Sequence, residues 1–257
     1  MNRVKGKLIL ITGASSGIGA ACARRCAAEG ANLALWARRQ ERLEELGAEL
    51  RASHCVTVLV AEVDVRDRPA VNRAAEQLVD AGHVPDVLIN NAGLASGLSK
   101  VHEGDPEDWD RMIDTNLKGL LNVTRAILPH MVARRRGHVV NIGSTAGHMT
   151  FPMGNVYNAT KFGVRALTEG TNLDVAGTPI RVSAVDPGLV ETEFSEVRFH
   201  GDKKRAAAVY QGLKPLSADD VADAIAYIVN LPEHVNILDL VIMPTIQRDV
   251  YVVDREP

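Results

Sequence analysis

Leu8-Ile9-Leu10-Ile11-Thr12-Gly13-Ala14-Ser15-Ser16-Gly17-Ile18-Gly19 is the stretch on which the fold turns. A short run of consecutive apolar residues suits a strand buried on both faces, as in a parallel sheet. The glycines that follow punctuate a tight turn, and Ala20 to Glu29, ending at Gly30, is a helix-forming run. Strand, glycine turn and helix make the front half of a βαβ unit that receives a nucleotide. The glycines let backbone approach a pyrophosphate, while the helix start turns unpaired N–H groups and the positive end of its dipole toward that anion. The spacing here is G-x-x-x-G-x-G rather than G-x-G-x-x-G, so the mechanics are shared with the best-known dinucleotide turn but its fingerprint is not. A purely structural glycine loop is the alternative, and other residues have to decide between them.

Outward from this turn, β-like runs alternate with helical patterns. The expected strands are Leu8–Thr12, Asn32–Trp36, Val56–Val60, Val87–Asn90, His138–Ile142, Ile180–Val185 and Ile237–Val241. The expected helices between them include Arg39–Arg51, Pro69–Asp80, Pro106–Arg135, Gly154–Val175 and Ala218–Asn230. This rhythm predicts an α/β fold, a Rossmann-type doubly wound parallel sheet in a single domain spanning 1–257. No repeat, linker or low-complexity tract divides it.

A second constellation lies in the C-terminal half. Tyr157 and Lys161 stand four apart, and Ser144 lies upstream in Asn141-Ile142-Gly143-Ser144. On a helix, i and i+4 share a face, which puts an ammonium beside a phenol. A free phenol titrates near pH ~10 and is a poor acid or base near neutrality. A cation roughly 4 Å away, at an effective dielectric of about 20, is worth about 4 kcal/mol to the phenolate, which is the right size to change that. Alone, a Y-x-x-x-K pair is an ordinary exposed helix stripe; its company with the glycine turn, with Asn90-Asn91-Ala92-Gly93 and with Asp114-Thr115-Asn116-Leu117-Lys118-Gly119 overturns that reading.

With these motifs in this order, the chain resembles the short-chain dehydrogenase/reductase superfamily, from the glycine turn through to Pro187-Gly188-Leu189-Val190 and Thr192. The resemblance implies that Tyr157 exchanges a proton with a carbonyl or alcohol oxygen and that Ser144 hydrogen-bonds the same oxygen. It implies that Lys161 holds the nicotinamide ribose and favours the phenolate, and that Asn116 continues a proton relay to water. An amide filling a helix kink is the structural alternative for Asn116 and is compatible with that role. Gly13, Ser15, Ser16, Gly17, Ile18 and Gly19 would cradle the pyrophosphate; Asn91, Ala92 and Gly93 would line a ribose; Pro187, Gly188, Val190 and Thr192 would fix the nicotinamide; Asp64 and Val65 would meet the adenine. A strand order of 3-2-1-4-5-6-7 and a homotetramer are further implications.

Cofactor choice is read at the end of the second strand, where an enzyme using NAD usually places a carboxylate for the ribose hydroxyls. The sequence there is Trp36-Ala37-Arg38-Arg39. Two guanidiniums and no acid suit a 2′-phosphate, which they bind through charge-assisted bonds, so NADP(H) is expected, with Ser15 adding a hydroxyl. The alternative is that both arginines simply begin the next helix.

Composition fits one enzyme domain. The chain has 257 residues, 46% of them hydrophobic, and a net charge of −3, which leaves no basic face for a nucleic acid. The basic runs Arg134-Arg135-Arg136 and Lys203-Lys204-Arg205 read as solvated charge. No segment is long and apolar enough for a membrane span and no targeting sequence is evident, so a cytoplasmic location is expected. Cys22, Cys26 and Cys55 read as core thiols without disulfide or metal spacing, the 8 histidines are scattered, and no metal is expected. Among them His148 alone lies near the proposed chemistry and reads as a loop residue.

For the substrate, Glu107-Asp108-Trp109-Asp110, Asn141-Ile142-Gly143-Ser144-Thr145-Ala146-Gly147 and Thr192-Glu193-Phe194-Ser195-Glu196-Val197-Arg198-Phe199 resemble the NADP-dependent 3-hydroxy acid dehydrogenases. That resemblance implies oxidation of serine, L-allo-threonine or 3-hydroxyisobutyrate and reduction of malonic semialdehyde. Such substrates carry a carboxylate, and Arg198 is the candidate to pair with it; a rim arginine answering Glu193 or Glu196 is the alternative. A sulfonate would satisfy the same logic, which keeps a sulfoaldehyde reductase as a rival. An idle NADP-binding regulator is a third reading, opposed by the intact set of Asn116, Ser144, Tyr157 and Lys161. The tail 244–257 carries Val250-Tyr251-Val252-Val253, too apolar for a free end, and is expected at a subunit interface unless it packs within its own chain.

Overall fold

A computed structural model describes residues 2–255. Seven strands form one sheet in the order β3-β2-β1-β4-β5-β6-β7, every neighbouring pair parallel. They are β1 (Leu8–Thr12), β2 (Asn32–Ala37), β3 (Val58–Glu62), β4 (Val87–Asn90), β5 (His138–Ile142), β6 (Arg181–Pro187) and β7 (Asp239–Ile242). The chain reverses its direction of travel between β1 and β4, so a crevice opens at the carboxyl ends of those strands, the usual ligand position in such sheets.

The alternation within β1 explains both layers. Ile9 and Ile11 face a core built with α1 (Gly17–Ala28), α2 (Gln40–Ser53) and α9 (Ala218–Val229). Leu8 and Leu10 face the opposite core, closed by α3 (Arg68–Asp80) and α5 (Leu120–Ala133). Side chains such as Leu33, Leu35, Leu88 and Ile127 are fully buried, each worth about 1.5–3 kcal/mol relative to exposure. The start of β1 is fixed by Asp86, whose Oδ2 accepts the Leu8 N–H at 2.9 Å. Arg134 and Arg136 both pair with that carboxylate, and Arg134 also donates to the Val84 carbonyl at 2.9 Å. They are therefore anchors of the α5–β5 corner rather than solvated charge.

The long helix expected over Pro106–Arg135 is broken. It runs as α4 (Pro106–Ile113), a π-helical turn over Asp114–Gly119, and α5. Asn116 sits in that turn, and widening the helix there aims its amide at the end of β4. α6 (Asn155–Asp174) follows the expected span closely. Two short helices were not anticipated: α7 (Phe194–Arg198) and α8 (Lys203–Tyr210), the latter capped by the Asp202 carboxylate, which accepts from Lys204 and Arg205 N–H groups, both at 3.1 Å.

Cys22 and Cys26 are buried, and burial raises both thiols, Cys26 to about 12. Cys55 is exposed, because it follows the end of α2, so the core placement expected for it does not hold. The described part of the tail turns back on its own chain, with Arg248 N–H donating to Val252 at 2.9 Å, Asp254 N–H to Ile246 at 2.8 Å and the Tyr251 hydroxyl to the Thr150 carbonyl. Glu256 and Pro257 lie outside the described residues. Among the described residues no helix is long and apolar enough to cross a membrane.

Candidate active site

The loops at the carboxyl ends of β1 and β4 are tied to one another by hydrogen bonds. Gly13 takes a left-handed φ of 67°, turning the chain sharply after β1. A side chain at Gly19 would place its Cβ 2.5 Å from Asn91 Nδ2 and from the Gly13 carbonyl, so only glycine lets α1 start this close to the turn. Asn91 answers with Nδ2 donating to the Thr12 carbonyl at 2.9 Å, and Thr12 Oγ1 accepts the N–H groups of Asn91 and Ala92 at 3.1 and 3.0 Å. Ser16 is the N-cap of α1 yet makes no side-chain cap, so the first N–H groups of the helix are left for a ligand.

Asn116 is committed to the scaffold. Its Oδ1 accepts the Leu94 N–H at 2.8 Å, while Nδ2 donates to the Leu94 carbonyl at 2.8 Å and to Thr160 Oγ1 at 3.0 Å. It thereby fastens the loop after β4 to the residue before Lys161. Lys161 is buried and donates to the Ile142 carbonyl at 2.9 Å, with its Nζ 5.9 Å from the Tyr157 ring centroid. Ser144 follows β5 by two residues in extended backbone; its Oγ accepts from Ala146 N–H at 3.1 Å and donates to the Pro187 carbonyl at 3.4 Å.

These groups open on one cleft of about 470 Å³. Gly13, Ser15, Ser16, Gly17, Ile18, Arg38, Arg39, Asp64, Val65, Asn91, Ala92, Gly93, Ser144, Tyr157, Lys161, Pro187, Gly188, Val190, Thr192 and Arg198 all line it. Gly19 and Asn116 do not; they act from behind, at the packing contacts just described. The glycine turn, the open helix start and the arginines at one end of the cleft fit a phosphorylated dinucleotide.

At the arginine end of the cleft, Arg39 donates from Nε to Ser15 Oγ at 3.1 Å, from one terminal nitrogen to Ser16 Oγ at 2.5 Å, and from the other to Glu193 at 2.9 Å. Arg42 reaches the second oxygen of Glu193 at 2.7 Å. The two guanidiniums hold the Glu193 carboxyl down to about 2. Asp64 is paired with Arg66 at 2.6 Å, which holds its carboxyl below the usual range.

Arg198 does not answer Glu193 or Glu196. Its guanidinium carbon lies 5.2 Å from the ring centroids of Tyr157 and Phe194 and 5.9 Å from that of Phe151, and its Nε is buried without a hydrogen-bond partner among the described residues. The residue is half-buried, and burial pushes the guanidinium pKa down. The aromatic box of Phe151 and Phe194 was not legible in sequence, because isolated phenylalanines in loops carry no periodic signal. Gln247 was missed for the same reason: its Oε1 accepts the Leu189 N–H at 2.8 Å and lies where a Cβ on Gly188 would fall, 2.3 Å away.

His148 belongs to a polar cluster beside β6. Its Nε2 contacts Asp186 and lies 3.6 Å from Asp239, and Arg165 comes within 3.2 Å of Nδ1. Burial and the neighbouring Asp239 push the Asp186 carboxyl up to about 6 against the opposing pull of His148. These three residues could reach a metal ion together, but the Arg165 charge at the ring opposes one.

Comparison with known proteins agrees with this geometry. The family described as short chain dehydrogenase matches residues 7–203. An NADP-dependent 3-hydroxy acid dehydrogenase of Salmonella typhi is 45% identical over 241 residues, covering 93% of this chain and 96% of its own. Sulfoacetaldehyde reductase 2 of Chromohalobacter salexigens is 45% identical over 251 residues, covering 97% of this chain and 99% of its own. Among solved structures, the closed form of a serine dehydrogenase complexed with NADP+ superposes with a TM-score of 0.91 at 43% identity, covering 97% of this chain and 100% of that one. Motifs, sheet order and relatives converge: the chain belongs to the short chain dehydrogenase family and is an NADP-dependent dehydrogenase.

Proposed function

We propose that this enzyme interconverts a short 3-hydroxy acid, of the size of serine, L-allo-threonine or 3-hydroxyisobutyrate, with its 3-oxo acid or semialdehyde. The observation that carries this reading is Arg198: a desolvated guanidinium with an unpartnered Nε, set beside Tyr157 in the cleft. A buried cation without a counter-ion is costly, and a substrate carboxylate would supply the missing partner in a fork–fork geometry. A small acid held there by one end presents its hydroxyl-bearing carbon to Tyr157 and Ser144.

Tyr157 takes the hydroxyl proton during oxidation and returns it during reduction, and Ser144 orients the reacting oxygen. Lys161, held by the Ile142 carbonyl, would hold the nicotinamide ribose and favour the phenolate. Asn116 keeps these parts in register and would continue a proton relay to water. Bound NADP(H) supplies or accepts the hydride. Arg38, Arg39 and Ser15 would hold its 2′-phosphate, the turn from Gly13 to Gly19 its pyrophosphate, Asn91, Ala92 and Gly93 a ribose, Asp64 and Val65 the adenine, and Pro187, Gly188, Val190 and Thr192 the nicotinamide. A homotetramer in the cytoplasm, with the tail 244–257 at a subunit contact, completes the proposal.

A second reading has specific support. A sulfonate would satisfy Arg198 as well, and a sulfoacetaldehyde reductase is as similar to this chain as the 3-hydroxy acid dehydrogenases are. The test is NADP reduction with serine, L-allo-threonine and 3-hydroxyisobutyrate beside NADPH oxidation with malonic semialdehyde and sulfoacetaldehyde. Turnover of the carboxylated compounds supports the proposal; silence on them with rapid reduction of the sulfoaldehyde transfers the assignment to the second reading.

A further inference from the structure

Glu193 occupies a place that the chemistry above does not use. It directly precedes α7, between Thr192 and the segment ending in Arg198, yet its carboxylate reaches across to Arg39 at 2.9 Å and Arg42 at 2.7 Å. Arg39 is at the same time bonded to Ser15 and Ser16 in the glycine turn. One guanidinium thus ties the floor of the dinucleotide cleft to the strand of chain passing over it. The neighbouring Thr192 also stands over the turn, since a Cβ at Gly17 would lie 3.5 Å from its side chain. The far end of the same segment is fixed independently, by the Gly97 N–H donating to the Arg198 carbonyl at 2.9 Å and by His200 Nε2 lying 3.3 Å from Asp108.

We propose that Glu193 is a positioning residue, a clasp that through Arg39 and Arg42 fastens the α7 segment over the bound dinucleotide and sets how long the cofactor stays. The inference rests on the reading that Arg39 faces the cofactor's 2′-phosphate. The charges agree with shared rather than competing occupancy: three guanidiniums, Arg38, Arg39 and Arg42, balance one carboxylate together with a phosphate dianion. Glu193 and Arg198 ride on one short segment, so loosening the clasp leaves the Arg198 guanidinium held from the far end alone. Arg42 does not line the cleft, so it reports on the clasp without touching the ligand.

The experiment is stopped-flow release of NADPH from wild type, Glu193→Gln, Glu193→Asp, Arg42→Gln and the double variant Glu193→Gln/Arg42→Gln, followed by cofactor fluorescence. Release is expected to accelerate about threefold to tenfold in Glu193→Gln, the scale of two surface ion pairs. Arg42→Gln should show a smaller acceleration, the double variant should release no faster than Glu193→Gln alone, and Glu193→Asp should restore most of the wild-type rate. KM for the hydroxy acid should rise in step while kcat holds or increases. Unchanged release overturns the proposal. So does slower release in Glu193→Gln, the outcome if the carboxylate merely competes with the phosphate for Arg39, and so do strictly additive effects of the two substitutions. Release is read without substrate, so a wrong substrate assignment leaves this result standing.

Discussion

Arg198 sets its guanidinium carbon 5.2 Å from the centroid of the Tyr157 ring, with Phe194 and Phe151 closing the other sides. A cation over aromatic faces is partly stabilised by them. That leaves the hydrogen-bonding rim free, as the unpartnered Nε shows. Arg198 and Tyr157 are therefore neighbours within one cleft, and under the proposed function this would restrict the substrate to a short molecule carrying charge and alcohol close together.

Replacing Tyr157 by phenylalanine removes one oxygen and keeps the ring contacts to Phe194 at 5.7 Å and Phe151 at 6.4 Å. Turnover is expected to fall by about 10² to 10⁴, the usual share of a positioned acid–base group, with NADPH affinity within a few-fold of wild type. Initial rates and a fluorescence titration check both halves.

Asn116→Ala is expected to destabilise the fold as well as slow the reaction. It strips partners from the Leu94 N–H and carbonyl, and leaving buried polar groups unpaired costs about 1–3 kcal/mol each. A lowered denaturation midpoint accompanied by lost activity is the expected result; unaltered stability would contradict the role given to this amide.

Arg39→Ala should weaken NADP binding by about tenfold to a hundredfold, the scale of one or two charge-assisted hydrogen bonds, and change NAD binding little. Comparative titrations with the two cofactors decide it. Equal losses for both would place Arg39 outside the phosphate subsite.

Stability should depend on pH through His138. It is buried on β5 with Nε2 2.8 Å from Ser183 Oγ, and burial, with Arg181 and Lys7 nearby, pushes its pKa well below the ordinary histidine value. The unfolded chain takes up a proton below about pH 6.5 that the folded one refuses, so this contribution is present above that pH and is lost as pH falls. Asp186 acts in the opposite sense: with its carboxyl raised to about 6, it favours the folded state at low pH and loses that contribution as pH rises through 6. His138→Gln should therefore flatten the acid loss by up to about 1.4 kcal/mol per pH unit between roughly pH 6.5 and 5 in urea denaturation. An unchanged slope would contradict it.

Much of this molecule was legible in its sequence because the signals were local. The run Leu8–Thr12 with its glycine turn, and Val87–Asn90 with Asn91, fall where buried strands and close backbone approach leave few residue choices. The edges were less clear: Val56–Val60 was expected and β3 runs Val58–Glu62, because register is set by pairing of Leu33 with Val58. At Asp114–Gly119 a helix kink filled by Asn116 was one reading, but the π-helical form of the break and its partner Leu94, distant in sequence, left no local signal. The pairing of Glu193 with Arg39 was likewise hidden, joining groups separated by 154 positions. Exposed charges have no periodicity to betray their partners.

The central claim is that Arg198 recognises the substrate's anionic group. The direct measurement is kcat/KM of Arg198→Ala against wild type on matched substrates, 3-hydroxyisobutyrate and a neutral alcohol of similar size. The account predicts a loss of about a hundredfold or more on the acid, carried mainly by KM, consistent with about 1.5–3 kcal/mol for hydrogen bonds to a charged group, and a change of only a few-fold on the neutral alcohol. Equal losses on both substrates, or none on the acid, would contradict it.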